Sequence, residues 1–178
     1  MTQTTERKLL YLTSRVLALA LLGAPALTLI ACNSSEVPAT TASPFQVHAI
    51  FNPAADAAAQ VRDALAEAGR QHKRVLLDFG GNWCGDCQIL DYYFHQPPNA
   101  GLIDQSYIVV DIDVGHLDHN VALANQYGVT LRHGVPALAI VDAQGHVLYS
   151  QNGGEFSSMG RVDPAAVTAL LQQWKISS

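Results

Sequence analysis

Apolar positions in this chain fall into short unbroken runs separated by stretches of helical period. Val75-Leu76-Leu77-Asp78-Phe79 and Tyr107 to Ile112 are runs long enough for buried strands and too short for helices. Pro136 to Val141 and Val147 to Gln151 read as two further strands joined by the turn Asp142-Ala143-Gln144-Gly145. Phe45 to Phe51 suits a short edge strand. Between these runs the period changes. After Asn52-Pro53, read as an N-cap followed by proline at the first helical position, an Ala-rich helix runs to Gln71 with Ala58, Val61, Leu65 and Ala68 on one face. Gly69 weakens its last turn. Gly80-Gly81-Asn82 ends the first strand, a helix follows from Cys84 to His95, and Pro97-Pro98 stops it. His119 to Tyr127 forms a helix closed by Gly128. Asp163-Pro164 opens a last helix carrying Val167, Leu170, Leu171 and Trp174 at i, i+3, i+4 and i+7. Strands alternating with helices imply an α/β domain, a central mixed sheet with helices on both faces.

The first 44 residues follow another logic. Arg7, Lys8 and Arg15 precede an apolar stretch from Val16 to Ala31, the order of a secretory signal peptide. A membrane-spanning helix needs about 20 apolar residues, and this stretch is shorter and interrupted by Pro25. Leu29-Ile30-Ala31-Cys32 resembles the bacterial lipoprotein box, which implies cleavage after residue 31 and a lipid on Cys32. Asn33, in place of the aspartate usual in lipoproteins kept at the inner membrane, points to a periplasmic protein anchored at the outer membrane. Residues 33–44, rich in Ser, Thr, Pro and Ala, suit a flexible tether. The expected organisation is thus a signal peptide over 1–31, a tether over 32–44 and one folded domain over 45–178.

Charge narrows the classes of partner. The formal net charge is −5, and setting aside residues 1–31, with three basic side chains against Glu6, leaves −7. An acidic domain without a basic stripe excludes nucleic-acid binding. No G-x-S-x-G, P-loop or dinucleotide fingerprint occurs, so hydrolase and nucleotide-dependent chemistry have no support.

Of three cysteines, Cys84 and Cys87 form a C-x-x-C pair within the folded region. As half of a zinc site the pair lacks a second pair of ligands at suitable spacing, Cys32 being the only other cysteine. As a redox pair it needs a strand before it and a helix starting at it, which is its context here. The first cysteine then sits at the positive end of the helix, which favours the thiolate that attacks disulfides. Copper handling is a further alternative, because thiolates suit Cu(I), although no methionine stands nearby as a third ligand. No metal and no cofactor beyond the Cys84–Cys87 disulfide itself is expected.

Leu77-Asp78-Phe79, Trp83-Cys84-Gly85-Asp86-Cys87 and Gly134-Val135-Pro136 together resemble the thioredoxin family over residues from about 50 to 175. The tract from Tyr93 through Asn99 to Val110 is more like its secreted and membrane-reductase branches, with a short extra helix after the active-site helix. The resemblance implies a thioredoxin-like fold and a thiol–disulfide oxidoreductase. It makes Cys84 the nucleophile, Cys87 the resolving thiol, and Asp78 the buried acid that assists proton transfer to Cys87. Pro136 becomes a cis-proline facing the pair, with the Val135 backbone receiving an extended substrate chain and Trp83 shielding the disulfide. Partners implied are protein thiols and disulfides as substrates and a membrane reductase as electron donor.

Three departures from the family pattern bear on chemistry. Gly85-Asp86 replaces Gly-Pro, and a carboxylate beside Cys84 disfavours its thiolate and so the reduced form. One pKa unit amounts to about 1.4 kcal/mol, or roughly 30 mV for this couple, in the direction of a better reductant. That direction favours a reductase over an oxidase or isomerase. Val109 stands where the family carries a lysine opposite the aspartate. The loop Thr130-Leu131-Arg132-His133 is longer than in thioredoxin and is expected beside the cysteines. Asp111, Asp113, His116, Asp118 and His119 cluster in sequence, but they read as a strand end and helix cap rather than a metal site.

Overall fold

The computed structural model describes residues 45–177. The expected signal peptide, the candidate lipidation site at Cys32 and the expected tether lie outside the described residues. Four strands form one sheet: β1 (Arg74–Gly80), β2 (Tyr107–Asp113), β3 (Ala137–Val141) and β4 (Val147–Ser150). Their order is β2-β1-β3-β4. β1 runs parallel to β2 and antiparallel to β3, and β3 is antiparallel to β4, so the sheet is mixed. β1 is buried from Val75 to Gly80, as its unbroken apolar run requires of a central strand covered on both faces.

Helices α1 (Ala57–Gln71), α2 (Gly85–Phe94), α3 (Asn99–Ser106), α4 (Val121–Gln126) and α5 (Pro164–Gln173) fill the connections. On one face Val61, Ala64 and Ala68 of α1 pack with Leu77, Phe79, Val110, Ile112, Ala139 and Val141. On the other, Leu90 and Phe94 of α2 and Val167, Leu170 and Leu171 of α5 pack with Leu76, Leu138 and Ile140. The Tyr107 hydroxyl donates to the Leu171 carbonyl at 2.7 Å, tying β2 to α5. Among the described residues, no helix is long and apolar enough to cross a membrane.

Three local expectations are corrected. Phe45 to Phe51 is not a strand. Its backbone is held by side-chain amides instead: Gln88 Oε1 accepts from the His48 N–H while Gln88 Nε2 donates to the His48 carbonyl, and Asn82 makes the equivalent bonds to Ile50 and Phe51. These bonds satisfy the main chain without a sheet partner. The first helix is capped by Asp56, whose Oδ1 accepts from Ala59 N–H at 2.9 Å, whereas Asn52 caps a preceding turn through the Ala54 N–H. The fourth helix begins only at Val121, because Asn120 is left-handed (φ 53°) and breaks the run from His119.

Candidate redox site

The turn Gly81-Asn82-Trp83 carries the chain from β1 into α2, and Cys84 is the N-cap of that helix. The Cys87 N–H donates to Cys84 Sγ at 3.1 Å, so the cysteine sulfur fills the role usually taken by a serine or aspartate oxygen. Cys84 and Cys87 are joined as a disulfide, with Cα atoms 5.3 Å apart. Cys84 lies at the rim (6 % exposed) and Cys87 is wholly enclosed, an asymmetry that presents the first sulfur to a partner and withholds the second.

Two features bound the pair. Opposite it, the Val135–Pro136 bond is cis, and the Val135 carbonyl oxygen lies 3.4 Å from Cys84 Sγ. Pro136 is held from behind by Gln151, a fully enclosed amide: Nε2 donates to the Pro136 carbonyl at 3.1 Å, and Oε1 accepts from the Leu138 N–H at 3.3 Å. Beneath it, Gly80 leaves no room for a side chain. A Cβ there would overlap the Phe51 ring and come within 2.9 Å of Cys87 Sγ.

Trp83 is half exposed, donates through Nε1 to the Gly115 carbonyl, and stacks on His116 at 5.5 Å. With Phe45, Val47, Gly85 and Ile89 it lines a groove of about 660 Å³ beside the disulfide, Asp86 lying on its edge. The expected long loop folds as a 3-10 turn, Leu131–His133, directly before Gly134.

Asp78 is buried, and its Oδ1 has no hydrogen-bond partner. Burial first, then the neighbouring carboxylates Asp111 and Asp91, hold its carboxyl well above the usual range. Strand alternation puts Asp78 on the same face as Gly80, the face on which the Cys87 sulfur rests. Of the sequence cluster 111–119, only Asp111 reaches this region. Asp113 accepts from Gly115 N–H and Asp118 from His116 N–H, as turn caps. Val109 packs at the edge of the apolar layer under α2 and supplies no charge opposite Asp78. Sequence reasoning did not single out Gln151, Asn82, Gln88 or Gly80. Only Gly80, in a Gly-Gly break after a strand, carried a visible signal.

A disulfide at the head of a helix, set against a cis-proline loop on a four-stranded mixed sheet, defines a thioredoxin-like redox domain. A family model described as thioredoxin-like matches residues 56–143. A disulphide isomerase from Xylella fastidiosa Temecula1 is 36% identical, with a TM-score of 0.67, over 72% of this chain and 98% of that one. The C-terminal domain of Neisseria meningitidis DsbD in the reduced form is 26% identical, with a TM-score of 0.50, over 70% of this chain and 98% of that one. No curated protein sequence matches the chain. The chain belongs to the thioredoxin-like family, and it is a thiol–disulfide oxidoreductase.

Proposed function

We propose that this protein is a periplasmic, lipid-anchored reductase of protein disulfides. The observation that carries the chemistry is the asymmetric pair at the start of α2: a rim sulfur receiving a main-chain N–H and an enclosed partner one turn on. The helix terminus and that N–H stabilise negative charge on Cys84. In the reductive half-cycle the Cys84 thiolate attacks a substrate disulfide, forming a mixed disulfide and releasing one substrate thiolate. The Cys87 thiol then loses its proton to Asp78, attacks Cys84 Sγ, and expels the second substrate thiolate as the Cys84–Cys87 bond forms. A substrate chain lies along the Val135 backbone at the cis-proline, with an apolar side chain in the groove bounded by Trp83, Phe45 and Ile89.

Asp86 supports the reductive direction, because its carboxylate in the first turn of α2 opposes charge on the adjacent Cys84. A reductase in an oxidising compartment needs its disulfide reduced again, and a membrane reductase is the donor class that suits a tethered domain. The N-terminal basic and apolar segments and the Ala31-Cys32 junction support export and anchoring. The test is reduction of insulin disulfides by the purified protein with dithiothreitol as donor, for wild type and Cys84→Ser. Turnover lost in the variant supports the reading; equal turnover sinks it.

Isomerisation is a second reading, favoured by the likeness to the disulphide isomerase from Xylella fastidiosa. Recovery of activity from scrambled ribonuclease, without net loss of disulfides, would select it.

A further inference from the structure

The proton that leaves Cys87 must reach solvent from a place with no water contact, and the groups around Asp78 supply a route. In the parallel register Asp78 pairs with Asp111, so the two carboxylates project from neighbouring strands on one face of the sheet. Adjacent strands are about 4.8 Å apart, so the two carboxylates are neighbours, and each negative charge disfavours the other. Above them lies α2, on which Cys87, Asp91 and His95 recur at i, i+4 and i+8, one stripe along the helix. Asp111 is largely enclosed yet lines a surface cleft of about 260 Å³ together with Asp91, Phe94, His95 and Asp104. Asp91 in turn lies 3.5 Å from His95 Nδ1 and 3.5 Å from His48 Nε2, and both rings are exposed. Asp78, by contrast, reaches no surface and keeps an oxygen without a partner.

We propose that Asp111 is the exit for the Asp78 proton, carrying it from beneath Cys87 to the cleft at Asp91 and His95. This rests on the reading of Asp78 as base for Cys87. The balance closes within the protein and solvent. Cys87 gives its proton to the Asp78 carboxylate, its sulfur displaces the substrate thiolate from Cys84, and Asp78 passes the proton to the Asp111 carboxylate. Water or His95 at the cleft then removes it, restoring both carboxylates. Asp111 suits the task because burial and Asp91 push its carboxyl up to about 6, an effect that His95 and His48 partly offset. Such a group can accept and release a proton near neutrality. The charged groups facing the pair are Asp91 and His95 from α2, His48 from the N-terminal segment and Asp104 from α3. Asp63, Glu67 and Arg70 of α1 line a second groove that also reaches Asp111.

The experiment uses the reduced full chain and 5,5′-dithiobis(2-nitrobenzoate) in stopped flow from pH 5 to 9. The first thionitrobenzoate released reports attack by Cys84; the second reports resolution by Cys87. Asp111→Asn is expected to leave the first phase unchanged and to lower the high-pH plateau of the second about tenfold, with Asp111→Glu restoring most of it. A second phase whose midpoint moves while its plateau stays would show that Asp111 acts only through its charge, and would overturn the exit. An unchanged second phase in Asp111→Asn would overturn it equally. Asp78→Asn separates the two ideas: if it leaves the second phase untouched, the underlying base assignment has failed. If it slows that phase while Asp111→Asn does not, the exit alone has failed. Asp91→Asn, expected to slow the second phase less than Asp111→Asn, provides a second variant should Asp111→Asn not fold.

Discussion

Replacing Gln151 by leucine tests how the cis-proline loop is held. The side chain is fully enclosed and bridges the Pro136 carbonyl (3.1 Å) and the Leu138 N–H (3.3 Å), while the Gln151 main-chain N–H independently donates to the Leu138 carbonyl. Leucine keeps most of the volume and the main-chain bond, so the loss isolates the amide. It strands one buried acceptor and one buried donor, each costing about 1–3 kcal/mol. Apolar burial of the leucine returns part of this, leaving a net loss of about 3 kcal/mol. At roughly 3 °C per kcal/mol for a domain of this size, the melting temperature falls by about 10 °C. Urea unfolding measures the free energy directly. Because the loop opposite Cys84 is released, KM for a peptide disulfide should rise more than kcat falls. A loss under about 0.5 kcal/mol with unchanged KM would refute the claim that Gln151 positions Pro136.

Three further outcomes follow from the same geometry. Gly80→Ala places a methyl against Phe51 and Cys87 Sγ, so it should cost about 1–3 kcal/mol; unaltered urea stability would contradict the packing described. Asp78 and Asp111 both have carboxyls raised by folding, so the folded state holds protons that the unfolded chain has released. Stability therefore falls as pH rises above about 4, through about 6 for Asp111, and Asp78, raised by burial, acts in the same direction. Asp78→Asn should accordingly stabilise the protein more at pH 8 than at pH 5, and urea titrations giving the reverse order would refute it. Asn82→Ala removes three bonds to the segment at Ile50 and Phe51. Hydrogen exchange at those two amides should accelerate at least tenfold, and unchanged protection would show that the segment is held by packing alone.

The parts of this fold that apolar runs specify were legible in the sequence: the central strand Val75–Phe79, the helix entered at Cys84, and the last helix opened by Asp163 and Pro164. Their burial pattern and caps are local, so the sequence carries them. The segment Phe45–Phe51 was not legible, because its order comes from Asn82 and Gln88, more than thirty residues away. Asn52 and Asp56 are caps of equal intrinsic quality, and the turn over residues 53–55 places the helix start after the second. At the site, the cysteine pair and Val135-Pro136 stand out by residue type. Gln151 does not, since a glutamine at a strand end is ordinarily solvated and only the tertiary fold encloses it. In sequence Asp111 reads with its acidic and histidine neighbours, whereas strand alternation and the pairing of β1 with β2 turn it toward Asp78 instead.

The equilibrium reduction potential of the Cys84–Cys87 couple tests the central claim most directly, measured on the purified protein against glutathione and dithiothreitol buffers. A reductase shaped by Asp86 should give about −220 mV or lower, moving upward by roughly 30 mV in Asp86→Asn for each unit gained by the Cys84 thiolate. A value well above about −180 mV, unaffected by that substitution, would contradict the reductive assignment and select oxidation or isomerisation.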